Sequence, residues 1–318
     1  MSRVSHHLST TADERHLSHH LRQERTTVPE KTGLWESFDS CAVRVTRMPI
    51  LLQPGELVVD RYEVKGLLGS GGMGQVYEVI DRQLGRRVAL KLAWTPSGVA
   101  SLRLEAAVLA GFRCHDSVVT MYELGSHGSR TFMIMERLDG PSLADYLRTV
   151  GVLPIYEVVR VLKSLCDALA VVHAAGLAHC DLKPSNVMLH RERGAILIDF
   201  GIVRSERHPE RRSFSGSPHF MAPETIRGAI CVGEAHLTDI YALAVIGFVL
   251  LTDRPPYDHA DPLKLMIQEL DAPVPHVATL RPEVPVALDA LLAQMMAKAP
   301  TERPTSAVQV REALLALG

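Results

Sequence analysis

The feature that most constrains this chain is a polar run, HCDLKPSN at residues 179–186, followed by the tripeptide DFG at residues 199–201. The two motifs supply two carboxylates, one ammonium group and one amide, from Asp181, Asp199, Lys183 and Asn186. Phosphoryl transfer requires such groups, because a carboxylate orients the attacking hydroxyl, oxygen atoms hold a divalent cation and a positive charge balances the developing negative charge. A lone Asp-Phe-Gly is more often an ordinary turn, but the run before it favours the catalytic interpretation.

A glycine-rich segment, LGSGGMGQV at residues 68–76, lies upstream of these motifs. Its glycines let main-chain N–H groups approach a phosphate with no Cβ in the way. The pattern also fits a plain hairpin turn or a dinucleotide-binding fingerprint. That fingerprint requires a helix starting inside the loop, whereas Gln75–Val79 alternates like a second strand after a first strand at Tyr62–Leu68. We therefore expect strand, phosphate-binding loop and strand.

A lysine and a glutamate follow, fourteen residues apart, which is a short connection but enough for a loop and a helical turn or two. Lys91 ends the apolar run VALK, and Glu105 lies in a helix predicted for Ala100–Gly111. Lys91 could instead be a surface charge at a strand end, and Glu105 could belong to a solvated helical face. The glycine-rich segment before them favours a lysine that pairs with nucleotide phosphates and is fixed by the glutamate.

These motifs, in this order, resemble the Ser/Thr protein kinase family, and specifically the eukaryotic-like, Hanks-type kinases of bacteria. The resemblance implies an α+β, two-lobed protein kinase fold with a small β-rich N-lobe and a larger, mainly helical C-lobe. It implies a kinase domain at residues 59–318, with the N-lobe at about 59–136 and the C-lobe at about 140–318. The implied activity is transfer of the γ-phosphoryl group of ATP to Ser/Thr hydroxyls of protein substrates in signal transduction.

The resemblance also implies a role for each matching residue. Asp181 orients the substrate hydroxyl, Lys183 stabilises the transferred group, and Lys91 positions the nucleotide with Glu105 as its partner. Asn186 and Asp199 hold Mg²⁺, with Mn²⁺ as a second acceptable ion. Met135 is the gatekeeper, the main chain of Glu136 to Leu138 bonds the adenine edge, and Val76, Ala89 and Met188 enclose the ring. The full nucleotide-binding set is Leu68, Gly69, Ser70, Gly71, Gly72, Met73, Gly74, Gln75, Val76, Ala89, Lys91, Met135, Glu136, Leu138 and Met188.

The segment GSPHFMAPE at residues 216–224 resembles the part of such kinases that cradles a polypeptide substrate. The resemblance implies an ion pair between Glu224 and Arg303. Kinases of small molecules usually lack this segment, and Lys183 and Ser217 match the Ser/Thr branch. A small-molecule phosphotransferase is therefore disfavoured. A catalytically silent pseudokinase scaffold is the main alternative, although the lysine and both aspartates that such proteins lose are present.

The longest apolar run, Ile240–Leu251, is shorter than the roughly eighteen residues of a membrane span, and we expect a buried helix there. The family places an aspartate, here Asp239, at the start of that helix to hold the catalytic loop. A formal charge of −2 gives no electrostatic attraction to nucleic acid or anionic membrane. The five cysteines show no paired spacing and no signal peptide is evident, so we expect a reducing cytoplasm.

Residues 1–58 differ from the rest, with scattered charges and no periodicity, and we expect an extension that is mostly disordered. His16, His19 and His20 would share a helical face and could bind a metal, but no carboxylates accompany them. Met48 begins a natural kinase opening, so translation could start there.

Cys180 is the clearest departure from the family, where most members have an arginine that meets a phosphate on the activation loop. Ser213 and Ser215 are expected autophosphorylation sites, modified in trans. We expect activity to depend only weakly on that phosphorylation, unless Arg204 or Arg207 replaces the missing arginine.

Overall fold

A computed structural model describes residues 50–71, 74–112, 115–200, 204–205 and 217–317, with only the main chain given at 204–205. Gly72, Met73, Gly201, the serines at 213 and 215, and the histidines of the extension lie outside the described residues. The predictions made for them are therefore left as predictions.

The first part of the fold is a six-stranded antiparallel sheet with strand order β1-β2-β3-β4-β6-β5. In a central strand the apolar side chains alternate between the two faces, with Val88, Leu90 and Leu92 on one face and Ala89 and Ala93 on the other, which is the pattern of a sheet buried on both faces. The strands are β1 (Leu57–Val58), β2 (Tyr62–Gly71), β3 (Gly74–Asp81), β4 (Arg86–Ala93), β5 (Met121–His127) and β6 (Arg130–Glu136). The predicted strand–loop–strand arrangement around the glycine-rich segment is confirmed, because β2 pairs with β3 up to Gly71 and Gly74.

One helix, α1 (Pro96–Gly111), packs beside the sheet. It begins four residues before the predicted start at Ala100, because Thr95 caps it by accepting a hydrogen bond from the Gly98 N–H (3.1 Å) and Pro96 occupies its first turn. The helix buries Leu102, Ala106 and Leu109 together with the carboxylate-bearing Glu105. Sheet and helix form the small lobe.

The rest of the described chain is mainly helical and forms the large lobe. Its helices are α2 (Leu143–Val150), α3 (Ile155–Ala174), α4 (Pro223–Arg227), α5 (His236–Thr252), α6 (Pro262–Asp271), α7 (Val286–Met295) and α8 (Ala307–Leu315). Short antiparallel pairs accompany them, formed by β7 (Leu177–Ala178) with β10 (Arg204–Ser205) and by β8 (Val187–His190) with β9 (Gly194–Leu197). The predicted two-lobed α+β fold is confirmed.

Helix α5 is the central buried element of the large lobe. Every residue from Leu237 to Leu251 in it is buried, as expected from its apolar run. Among the helices of the described residues, none is long and apolar enough to span a membrane.

Two apolar clusters lie on opposite faces of the sheet. The larger one contains Ala89 and Met135 and continues through α1 into the whole large lobe. The smaller one covers the other face and includes Tyr77, Leu90 and the fully buried Leu52. Residues 50–58, which the sequence assigned to the extension, therefore already pack on the small lobe, because Leu52 completes this cluster and β1 adds an edge to the sheet. The predicted division of the chain itself stays a prediction.

Candidate active site

Lys91 lies at the junction of the lobes, between two carboxylates. Its β4 position places its side chain on the same sheet face as Ala89, because alternate residues of a strand share a face. The Nζ atom lies 2.6 Å from Glu105 Oε2 and 3.3 Å from Asp199 Oδ1. Lys91 and Glu105 are both buried. The predicted lysine–glutamate ion pair is therefore present, and Asp199 is the third member of the group.

When both carboxyl groups are ionised, this group carries one excess negative charge. Burial raises the pKa of Glu105 to about 7, and the charge of Asp199 adds to the rise while Lys91 opposes it. Burial lowers the pKa of Lys91, but the attraction of Asp199 and Glu105 outweighs burial, so that pKa lies above its ordinary value. A lysinium facing two carboxylates is a site that a further cation would stabilise.

A second group is formed by the loop at residues 179–186. Lys183 Nζ lies 3.1 Å from Asp181 Oδ2, and the Asn186 amide nitrogen donates to the main-chain oxygen of Asp181 (2.8 Å) and to its Oδ2 (3.1 Å). A short 3₁₀ turn, Pro184–Asn186, sets this geometry. The Ile198 N–H donates to the Asn186 carbonyl (3.0 Å), which brings the start of the DFG motif beside the loop.

Asp239, in the first turn of α5, holds this loop from below. Its carboxylate accepts hydrogen bonds from the main-chain N–H groups of His179 and Cys180 and contacts His173 Nε2, each at 2.8 Å. Burial would raise the pKa of Asp239, but the bonds from His173 and Cys180 hold it below its ordinary value. Cys180 has φ of 62°, a left-handed conformation that costs a non-glycine residue about 1–2 kcal/mol. Asp239 thus fixes a strained main chain directly before Asp181, as the sequence predicts.

An aromatic stack that the sequence analysis missed steadies Asp199. The His179 ring contacts the Asp199 carbonyl through Nε2 and packs edge-on against Phe200, with ring centroids 5.1 Å apart. Phe200 in turn packs against Phe112 at the end of α1, at 5.8 Å. The sequence gives one sign of this contact, which is that the aromatic Phe112 directly follows the helix that carries Glu105.

The described part of the glycine-rich segment lies at the ends of β2 and β3. Leu68, Gly69, Ser70 and Gly71 are exposed there, as a ligand-binding edge requires. A Cβ on Gly74 would lie 2.4 Å from the Leu92 carbonyl, so this glycine is required by the close approach of β4.

Gln75 is fully buried, and its side-chain oxygen accepts hydrogen bonds from the Leu51 N–H (3.1 Å) and from the Tyr77 hydroxyl. The side chain therefore faces the smaller apolar cluster. Only the main chain of Gln75 could therefore contact a nucleotide.

The ring-enclosing residues, the gatekeeper and one hinge residue of the prediction share one apolar cluster. Ala89, Met135 and Leu138 are buried in it, with Val76 and Met188 packed against it. Ala89 pairs directly with Met135 across β4 and β6. Because Val76 pairs with Lys91 and Met135 with Ala89, these side chains lie on the face of the sheet that carries Lys91. Leu138 follows in the hinge segment (residues 136–142), which joins the two lobes.

Helix α4, which begins at the end of the segment at residues 216–224, is attached firmly to the large lobe. Arg303 makes two hydrogen bonds to Glu224, of 2.7 and 2.8 Å, and both side chains are buried. The predicted ion pair is present in bidentate form, which is the strong geometry for arginine and carboxylate. A small cavity of about 10 Å³, with room for roughly one water molecule, lies between this segment and loop 179–186, and its lining includes Cys180, Asp181, Ser217 and Thr225.

The oxygen ligands at the junction fit a hard divalent cation that shares its shell with phosphates. Since the Asn186 nitrogen donates to Asp181, the amide oxygen is the atom with which Asn186 would bind a cation. The described residues contain no group of three or more His, Cys, Asp or Glu side chains arranged as a metal cage. Mg²⁺ suits such a sparse site, because it takes one or two protein ligands and completes its shell with water and substrate phosphates.

The structure combines a small sheet-rich lobe with a larger helical lobe. A lysine–carboxylate group lies at their junction, next to an Asp–Lys–Asn loop. These features together define the protein kinase class. The model of the protein kinase domain matches residues 62–315, and the chain belongs to this family.

Curated relatives agree with this assignment. The chain is 36% identical over 254 residues to the serine/threonine-protein kinase PknD of Mycobacterium tuberculosis, a match covering 77% of this chain and 38% of the relative. It is 35% identical over 252 residues to PknE of the same species, covering 76% and 43%. It is 31% identical over 272 residues to a probable serine/threonine-protein kinase PknB of Corynebacterium glutamicum, covering 80% and 42%. The match thus spans less than half of each of these relatives, and the predicted resemblance to bacterial Ser/Thr kinases is confirmed.

Proposed function

We propose that the chain transfers the γ-phosphoryl group of ATP to serine and threonine hydroxyls of proteins. The observation that carries the proposal is the position of Lys91 between Glu105 and Asp199, at 2.6 and 3.3 Å. The ordered Asp181–Lys183–Asn186 group supplies the remaining charges that phosphoryl transfer requires.

In this proposal Asp181 orients the acceptor hydroxyl and accepts its proton as the bond to phosphorus forms. Lys183, 3.1 Å from Asp181, stabilises the negative charge on the transferred group. Lys91 positions the nucleotide phosphates, and Glu105 holds Lys91 in place. Asn186 and Asp199 bind the metal, which when bound supplies charge neutralisation for the phosphates. Most of the rate enhancement then comes from positioning and electrostatics.

The nucleotide base fits the apolar cleft under the sheet. Val76, Ala89 and Met188 would enclose the ring, Met135 would limit the depth of the cleft, and the main chain of Glu136 to Leu138 would bond the adenine edge. We assign Leu68 to Gly74 to the lid over the phosphates. The natural ion in this proposal is Mg²⁺, with Mn²⁺ as a substitute.

A polypeptide acceptor is supported by the closeness of Asp181 to the segment at residues 217–225, since Asp181, Ser217 and Thr225 line the same small cavity. The firmly anchored segment beyond it supplies a wall along which an extended chain could lie. The relatives' names include serine/threonine-protein kinase, which supports the same acceptor class. We further propose autophosphorylation in trans and a reducing, cytoplasmic setting, the latter on the spacing of the cysteines.

The proposal is tested by incubating the purified chain with Mg²⁺, γ-labelled ATP and a generic protein substrate. We expect label in phosphoserine and phosphothreonine after acid hydrolysis. Binding of ATP without any transfer of label would instead support the pseudokinase scaffold.

A further inference from the structure

Arg193, in the turn between β8 and β9, makes a dense set of hydrogen bonds that the sequence analysis did not anticipate. Its Nη1 donates to Glu136 Oε2 (2.6 Å) and its Nη2 to Glu136 Oε1 (3.2 Å). Its Nε donates to the Asp116 main-chain carbonyl (2.9 Å), and Nη2 also lies 3.3 Å from the carbonyls of both His115 and Val118. One guanidinium group therefore joins the large lobe to two separate segments of the small lobe.

These contacts act on segments that further hydrogen bonds hold to the sheet and to β9. The residues before β5 are attached to β9 by two hydrogen bonds, from Val119 N–H to the Leu197 carbonyl (3.0 Å) and from Leu197 N–H to the Ser117 carbonyl (2.9 Å). Glu136 is joined to the same segment, because its Oε1 accepts from the Thr120 N–H (2.7 Å) and its own N–H donates to the Thr120 carbonyl (2.9 Å). Arg193 adds contacts from the large lobe to both Glu136 and the segment before β5.

The side chain and the main chain of Glu136 therefore have different roles. Its carboxylate is directed at Arg193 and away from the apolar cleft. Its main chain begins the hinge segment, which in the proposed function bonds the adenine edge. Side-chain contacts of this charge-assisted, bidentate kind fix geometry strongly, and both side chains are largely shielded from water (23% and 15% exposed).

We propose that Arg193 is a positioning residue for adenine recognition, acting through Glu136. By holding the Glu136 carboxylate, it sets where the Glu136 carbonyl and the following hinge amides meet the base. This inference rests on the proposed function, since it assigns the hinge to the base of ATP. Arg193 touches no reacting atom, so its loss should weaken nucleotide selection while leaving the transfer step nearly intact.

Inosine triphosphate gives a readout that a merely structural role would not change. Adenine offers an amino group to a hinge carbonyl, whereas inosine offers a carbonyl oxygen at the same place. A well-placed hinge carbonyl rejects inosine because two acceptors then face each other. If Arg193 sets the position of that carbonyl, the preference for ATP over inosine triphosphate should fall when Arg193 is removed.

The experiment compares Arg193→Ala, Arg193→Lys and Glu136→Gln with the wild-type chain in steady-state phosphorylation of a generic protein. Arg191→Ala is the matched control, because it removes the same charge from an exposed position in the same turn. For Arg193→Ala we expect the KM for ATP to rise about ten-fold, with kcat within about two-fold of wild type and a reduced ratio of kcat/KM for ATP over inosine triphosphate. Arg193→Lys should restore part of that ratio, Glu136→Gln should lower it, and Arg191→Ala should leave it unchanged.

An unchanged nucleotide ratio in Arg193→Lys and Glu136→Gln, both of which keep side-chain volume, would overturn the inference even if Arg193→Ala fails to fold. A fall in kcat with constant KM would overturn it as well. If the wild-type chain transfers no phosphate, the proposed function fails instead, and that result is separate because it appears before any variant is compared.

Discussion

At the scale of single residues, the two aspartates at the junction of the lobes contact different lysines. Asp181 contacts Lys183, Glu105 contacts Lys91, and Asp199 shares Lys91 while it stays about one third exposed. The exposed part of Asp199 is the part that a cation could reach. This division of partners supports different roles for two aspartates that belong to neighbouring motifs.

The roles proposed for Asp181 and Lys91 predict the effect of two conservative changes. Asp181→Asn keeps the shape but removes the carboxylate, and Lys91→Met removes the charge that positions phosphates. Each change should lower turnover by about a hundred-fold or more. Label transfer is the measurement, and circular dichroism of each variant controls for folding. Near-normal transfer by both folded variants would contradict the assignment.

The raised pKa of Glu105 predicts a pH dependence of stability in the absence of nucleotide. A carboxyl whose folded-state pKa lies above its unfolded value contributes stability that is present below about 4.5 and is lost as the pH rises through about 7. Lys91 titrates above this window and does not alter the trend.

We therefore expect the wild-type melting temperature to fall between pH 5.5 and 8 relative to that of Glu105→Gln, which does not titrate. Differential scanning calorimetry of both proteins without Mg²⁺ measures this. Parallel curves for the two proteins would show that Glu105 does not titrate in this range.

At the scale of elements, the sequence correctly predicted contacts in which each of the two residues belongs to a recognisable motif. Lys91 with Glu105 and Glu224 with Arg303 are examples, since each partner could be found separately and then paired. The contacts of Arg193 could not be found in this way, because three of its partners are main-chain carbonyls that carry no residue identity. The side-chain orientation of Gln75 could not be predicted either, because it depends on contacts with Leu51 and Tyr77 on the other face of the sheet.

The loop at residues 179–186 predicts weak control by activation-loop phosphorylation. Cys180 stands where an arginine would meet the phosphate, and its sulfur instead lies 3.9 Å from the Thr238 hydroxyl. A charge-assisted contact of the missing kind is worth about 1.5–3 kcal/mol. The Ser213→Ala/Ser215→Ala chain should therefore keep most of the wild-type kcat/KM.

In a Cys180→Arg background, the same pair of alanines should lower kcat/KM by about ten-fold or more relative to the phosphorylated Cys180→Arg protein. Loss of activity in the double alanine chain with Cys180 in place would contradict this prediction.

At the scale of the whole molecule, the sheet separates two apolar clusters of unequal size. The larger one crosses the lobe junction, so the nucleotide face of the sheet and the large lobe share a core. The smaller one is closed by residues that precede the matched kinase domain at residues 62–315. The small lobe therefore depends on a segment that the family motifs do not include.

Leu52 tests that dependence. It is fully buried, whereas Ile50, two residues before it, is 52% exposed. Leu52→Ala should lower the free energy of unfolding by about 2–5 kcal/mol, through lost burial and the cavity left behind. Ile50→Ala is the matched control and should stay within about 0.5 kcal/mol of wild type. Urea unfolding followed by fluorescence measures both, and equal effects would show that residues 50–52 contribute no core.

The course of residues 50–52 also offers a spectroscopic handle. The main-chain N–H groups of Leu51 and Leu52 bond the Tyr77 hydroxyl, at 3.1 and 3.2 Å, on the face of the sheet turned away from Lys91. A donor dye attached to the thiol of an Ile50→Cys variant would therefore lie on the small lobe, outside the nucleotide cleft. The exposed thiol of Cys231 offers an acceptor position on the large lobe. A change in energy transfer between the two dyes on addition of nucleotide would then show that the distance between the lobes changes.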